Sequence, residues 1–154
     1  ISVVHDKTIH NTQYNNSYTR SGETLSKYLN NYSGFKVIID IHRDAGVPKN
    51  SITASVNNQQ AAKIMFVLSK ASPNYQKNLE LADSLKGIID QIFPGVMKEH
   101  KQYNRGKANF NLDKAPNSAL IEVGSEISDI EEAKLSGQII ARAIAEYINN
   151  SVNE

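Results

Sequence analysis

The spacing of apolar positions changes several times along the chain, and each change marks an element. Ile1 to Val4 is a β-branched run that reads as a short strand. Residues 11 to 18 are polar and turn-rich and read as a loop. Ser21 to Asn31 reads as a helix, stopped by Asn30-Asn31 and Ser33-Gly34. Phe35 to Ile41 (FKVIIDI) is the most apolar run and predicts the central strand. Ser51 to Val56 alternates, and Ile64 to Leu68 is a second apolar run. Asn57-Asn58 between them is turn chemistry, so a hairpin or two adjacent strands both fit.

Two longer segments carry helical spacing. Ser72-Pro73 offers an N-cap with proline at the first helical position. Tyr75, Leu79, Ala82, Leu85, Ile89 and Ile92 then share one face until Pro94-Gly95. The last helix is expected to start at Ser128, with Glu131 three residues on as a capping box. Its apolar stripe is Ala133, Gly137, Ile140, Ala141, Ile144 and Ile148. Between the two, Val96 to His100 reads as a strand, 101 to 117 as a long loop and Ser118 to Val123 as a strand. Strands alternating with helices predict an α/β domain.

Composition narrows the function. The chain has 154 residues, 40% of them hydrophobic, which suits one core and a single domain over 1–154. Its 17 basic and 16 acidic residues are interleaved, for a formal net charge of +1. Without a basic block, nucleic acid is disfavoured as a partner. The absence of cysteine excludes disulfides and thiolate metal sites, leaving His, Asp and Glu as ligands. No apolar run approaches the ~18 residues of a membrane span. The opening Ile-Ser-Val-Val has neither initiator Met nor signal peptide, so a processed, trimmed or truncated chain is expected.

Candidate chemistry lies at the ends of apolar strands. His42 ends the FKVIIDI run and leads into Arg43-Asp44. Strand alternation puts Ile38, Asp40 and His42 on one face, and ligand sites of open α/β sheets lie beyond strand carboxyl ends. Glu122 sits inside the apolar segment SALIEVG, where a carboxylate needs a partner or a metal. His42 is either a structural histidine or a ligand, and Glu122 either pairs with Arg43 or serves a site. His5 and His10, with Asp6, form a weaker loop pair, and His100 in KEHK reads as solvent-facing. No G-x-S-x-G, phosphate loop, GxGxxG or HExxH motif is present.

At these residues a resemblance enters. IDIHRDA (Ile39 to Ala45) resembles the signature motif of the stage II sporulation protein P family. SYTRSGETLSKYL (Ser17 to Leu29), IMFVLSKASPNYQKNLELADSL (Ile64 to Leu85) and NFNLDKAPNSALIEVGSEISDIEEAKLSGQIIA (Asn109 to Ala141) are similar to its other segments, in the same order. More distantly, both motifs resemble those of zinc-dependent N-acetylmuramoyl-L-alanine amidases. The resemblance implies a twisted mixed sheet flanked by helices, zinc amidase-like, acting on peptidoglycan. It implies His42 as a zinc ligand and Glu122 as the catalytic carboxylate. Arg43, Asp44 and Asn111 are carried over as substrate-binding candidates, and Asp113 matches a family Asp. Phe110 and Leu112 stand where the family has Tyr and Gln.

The family's first signature, a Thr-His-Thr-like strand end with a Glu close behind, is expected before Ile1. Only His42 therefore maps onto a metal ligand, and the chain alone is expected to bind zinc poorly, to lack activity and to expose apolar surface beside Ile1 to Val4. The resemblance further implies an extracytoplasmic location at the sporulation septum and a membrane anchor outside this segment. It also implies a partnership with the lytic transglycosylase of engulfment. The competing expectation is a non-catalytic peptidoglycan-binding or interaction module.

Overall fold

The computed structural model describes residues 1–13, 15–104 and 109–152. Position 14 of the expected 11–18 loop, positions 105–108 of the expected 101–117 loop, and the last two residues of the expected domain lie outside the described residues.

The chain folds as α1 (Ser17–Asn31), β1 (Ile38–Asp44), a short 3-10 turn (Lys49–Ser51), β2 (Thr53–Val56) and β3 (Gln59–Ala62). It continues through β4 (Ile64–Ser69), α2 (Tyr75–Ile92), β5 (Lys101–Tyr103), β6 (Ser118–Ser125) and α3 (Ile130–Val152). The main sheet has the order β1-β6-β4-β5. β1 runs parallel to β6, β6 antiparallel to β4, and β4 parallel to β5. This is the mixed sheet flanked by helices expected from the sequence.

Alternation along β4 and β6 divides the interior. Ile64, Phe66 and Leu68 of β4 with Ala119, Ile121 and Val123 of β6 point toward α2 and α3, which contribute Leu81, Leu85, Ile89, Ile139 and Ile140 to the same core. Met65, Val67 and Leu120 point the other way and are covered by Leu112 and Phe110. Burial on both faces explains why β4 and β6 are continuous apolar runs.

That division corrects several expectations. The central strands are β4 and β6. The FKVIIDI run instead supplies β1 at an edge, three residues later than expected, with Ile41 63% exposed. Its apolar character serves one neighbouring strand and the flanking packing of Val37 and Ile39. Ile1 to Val4 forms no strand; Ile1, Val3 and Val4 are 70%, 80% and 51% exposed, so the apolar surface expected there is present. A β-branched run needs a partner to become a strand, and no described strand pairs with it. At Val96 to His100 only Met97 bridges to Ile64, and the ladder proper starts at Lys101.

Helix starts also shift. α1 begins at Ser17, four residues early. Ser72-Pro73-Asn74 forms a turn instead of the first helical residues, with the Asn74 N–H donating to Ser72 Oγ at 3.1 Å. The cap of α3 lies one residue beyond the expected one: the Asp129 N–H donates to Glu132 Oε2 at 3.2 Å. The Asn57-Asn58 ambiguity resolves as a two-residue hairpin, both residues at positive φ, joining β2 to β3.

One corner aims the site. Between His42 and Asp44, β1 advances two residues while β6 advances three, from Glu122 to Ser125, so β6 carries the extra residue. Gly124 lies there at φ 62°, and a Cβ on it would come within 2.2 Å of Ser128 Oγ and 3.0 Å of the Ala62 Cβ. Gly124→Ala is therefore expected to destabilise the fold by about 2–4 kcal/mol, from positive φ and overpacking together. Urea unfolding measures this; an unchanged midpoint would contradict the reading.

Candidate functional site

The second face of the sheet, away from α2 and α3, brings the strand-end residues together. His42 and Glu122 are direct Cα partners across the parallel β1–β6 pair. Neighbouring strands lie about 4.8 Å apart, so the two side chains rise side by side from one face. Met65 pairs with Glu122 on its other side. Asp40, two residues before His42, shares the face as alternation predicts, and its Oδ2 lies 3.1 Å from His42 Nε2. That contact fixes Nε2 as the nitrogen facing the carboxylate and leaves Nδ1 as the lone-pair nitrogen of the neutral ring.

An aromatic wall stands against His42. The Tyr18 ring, from the first turn of α1, stacks on His42 with centroids 5.8 Å apart and planes within 10°. Phe110 meets Tyr18 edge-on at 5.5 Å, and Tyr103 of β5 meets Phe110 at 5.0 Å. Lys101 Nζ lies 5.6 Å from the Tyr103 ring centre. Phe110 and Asn111 both adopt positive φ, 51° and 58°. Asn111 holds that turn against α1 by donating from Nδ2 to Tyr18 O at 3.0 Å and Ser21 Oγ at 2.9 Å.

Electrostatics follow from this enclosure. Burial pushes the Glu122 carboxyl above the usual carboxylate range. His42 and Lys101 pull it back, while Asp44 and Asp40 push it further up. Its Oε2 is buried without a hydrogen-bond partner, a costly state for a group that serves packing alone. His42 is raised, first by its hydrogen bond to Asp40, against a lowering by burial and with help from the charges of Asp40 and Glu122.

The other expected site residues fall into different places. Arg43 points to the opposite face from His42 and donates to Ser125 O at 3.0 Å and Ser128 O at 2.6 Å. The expected alternative in which Glu122 pairs with Arg43 is thus not seen: Arg43 is engaged with the β6–α3 connection, and His42 is the neighbour of Glu122 across the strands. Asp44 accepts the Ala45 N–H on Oδ1 and the Glu126 N–H on its carbonyl. Asn111 and Asp113 line a groove beside Tyr18. His5 is exposed on the N-terminal segment, and His10 bonds Thr24 Oγ1 at 2.9 Å. His100 is not solvent-facing: its side chain is 8% exposed, it pairs with Asp83 at 3.0 Å, and it packs edge-on to Phe66 on the α2 side. Sequence reasoning placed Asp40 on the right face without a role and gave none to Tyr18 or Lys101. The Asp40-x-His42 spacing, two on a strand, was the available signal for the first.

A zinc centre needs three protein ligands and an open position. Among the described residues no group of three or more His, Cys, Asp or Glu side chains is arranged to hold a metal ion. Asp40 and His42 turn toward each other, and the donor set does not fit a complete zinc centre by itself.

The family model described as "Stage II sporulation protein P (SpoIIP)" matches residues 1–145. The chain is similar to the stage II sporulation protein P of Bacillus subtilis (strain 168), 26% identical over 137 residues, covering 86% of this chain and 33% of that protein. The chain thus spans about a third of the length of that curated relative. No solved structure matches it at a significant level.

Because His42 and Glu122 both bind protons more tightly in the fold than in the unfolded chain, both make stability fall as pH rises. For Glu122 the loss starts above its ordinary 4.5 and for His42 above its ordinary 6.5, each ending at the raised folded value. In metal-free protein, the His42 ring is expected to titrate above 6.5, and Asp40→Asn is expected to bring it down. Proton NMR of the imidazole Cε1–H reads this; a midpoint indifferent to Asp40→Asn would contradict the pairing.

Proposed function

The chain belongs to the stage II sporulation protein P family, and from that premise we propose that it forms part of a sporulation hydrolase acting on peptidoglycan. The bond cleaved is the amide between N-acetylmuramic acid and L-alanine of the stem peptide. The observation that supports this reading most is the buried, unpartnered Oε2 of Glu122 beside His42. A carboxyl held above the usual range is suited to take a proton from attacking water and return it to the leaving amine nitrogen. His42 offers one ligand to zinc, the metal of the amidases the sequence resembles. The described residues supply no complete set, so the proton steps assigned to this chain rest on Glu122.

The remaining residues act around that pair. Arg43 sets the β6–α3 connection through its carbonyl contacts and so positions the strand that carries Glu122. Asp44 raises the Glu122 carboxyl further and closes the β1 end. Asn111 borders the substrate side through its hold on Tyr18. In this reading the protein works outside the cytoplasm on septal peptidoglycan during engulfment, alongside a lytic transglycosylase. Among the described residues, no helix is long and apolar enough to cross a membrane. A second reading, a peptidoglycan-binding module without chemistry, is favoured by Tyr18, whose ring covers a face of His42.

Incubating sacculi with the full-length protein and zinc separates the two. Mass spectrometry is expected to find stem peptides released with free L-alanine amino termini. Glu122→Gln is expected to lower that release on the order of 10²–10⁴-fold, with an unchanged circular dichroism spectrum. Sacculi bound without released peptide would favour the module. Wild-type release by Glu122→Gln would remove Glu122 from the mechanism.

A further inference from the structure

Beside the His42–Glu122 pair, an open groove of about 910 Å³ runs between α1 and residues 109–114. Its volume falls in the ~300–1,000 Å³ range of small-ligand sites. Tyr18 and Phe110 belong both to its lining and to the aromatic wall over His42, so the groove adjoins the site. The groove is built, not incidental. Gly22 is buried, and a Cβ there would lie 2.6 Å from Asn111 Oδ1, so only glycine lets α1 approach the turn this closely. Asn111 then ties the turn to Tyr18 O and Ser21 Oγ.

Four ionised side chains line this groove: Glu23 and Lys27 from α1, Asp113 and Lys114 from the turn. None of the four forms a salt bridge among the described residues. On the reading above, which this inference rests on, a substrate with its scissile amide at Glu122 sends one arm toward Tyr18. The two arms of peptidoglycan differ chemically. The glycan, its lactyl carboxyl amidated, carries no ionised group there, and laying it over four unpaired charges would desolvate them without return. The stem peptide carries carboxylates and, where its third residue is a diamino acid, an ammonium group, which can pair with both kinds of lining charge. We infer that the α1 groove is the stem-peptide subsite, with Lys27 and Lys114 receiving the peptide's carboxylates and Glu23 and Asp113 its ammonium.

The test uses a cleavage product, so it does not depend on turnover. Wild-type full-length protein is titrated calorimetrically with L-alanyl-γ-D-glutamyl-meso-diaminopimelate and, separately, with peptide-free glycan strands whose lactyl carboxyls are capped as simple amides. The tripeptide is expected to bind. Reversing Lys27→Glu and Lys114→Glu together is expected to weaken it at least about tenfold, while Lys134→Glu on α3 leaves it unchanged. Thermal melts confirm that both variants fold. Absence of tripeptide binding at millimolar concentration, or affinity indifferent to the double reversal, would overturn the inference. So would glycan strands whose binding alone is lost on reversal. Failure of the amidase reading has a different signature: sacculi would yield no released stem peptide while the calorimetric result held.

Discussion

The parallel pairing of β1 with β6 is the constraint on which the site depends. It places His42 and Glu122 at the same level of two adjacent strands, on the face that α2 and α3 leave uncovered. The pairing could not end as it does without the extra residue in β6. Gly124 takes positive φ there, the Gly124 N–H reaches Lys63 O, and the Glu126 N–H reaches Asp44 O. Arg43 completes the corner from the opposite face, its guanidinium gathering carbonyls of the β6–α3 connection. The two motifs IHRDA and LIEVG are thus one structural unit, written in two places along the chain.

The same unit explains why an acid is tolerated in an apolar strand. Glu122 lies between Met65 and His42 on its neighbouring strands, and its partial burial disfavours the charged form. His42 offsets part of that cost, and Asp40 in turn keeps His42 inclined to hold its proton. The result is an acid and a base whose protonation states depend on each other, so their titrations belong to the pair.

How much of this was legible in the sequence depended on whether the cause was local. The helical stripe of α2, the apolar runs of β4 and β6, and the shared face of Asp40 and His42 follow from periodicity, and they were read correctly. On α3 the stripe was read in part, since Ala133, Ile140 and Ile144 face the core but Ala141 is exposed and Ile139 and Ala143 are buried in its place. Strand order is not local. FKVIIDI looked central because of its apolar run, yet SALIEV and IMFVL are the strands buried on both faces. The β3 segment Gln59–Ala62 carries little strand propensity of its own and is formed by the Asn57-Asn58 turn and pairing with β2. Tyr18 and Lys101 escaped notice because their roles arise from contacts across the fold: a ring stacked on His42, and a charge felt by Glu122. His100 was misread for a related reason, since Phe66 and Asp83, which enclose it, are far away in the chain.

The central claim is that Glu122 is a half-buried carboxyl governed by its neighbour His42. Carbon-13 NMR of the Glu122 side-chain carboxyl, followed against pH in metal-free protein, tests this directly. The account predicts a midpoint above the ordinary 4.5, moving still higher in His42→Ala because the imidazolium that favours the carboxylate is gone. A midpoint at or below 4.5 that does not respond to His42→Ala would contradict it.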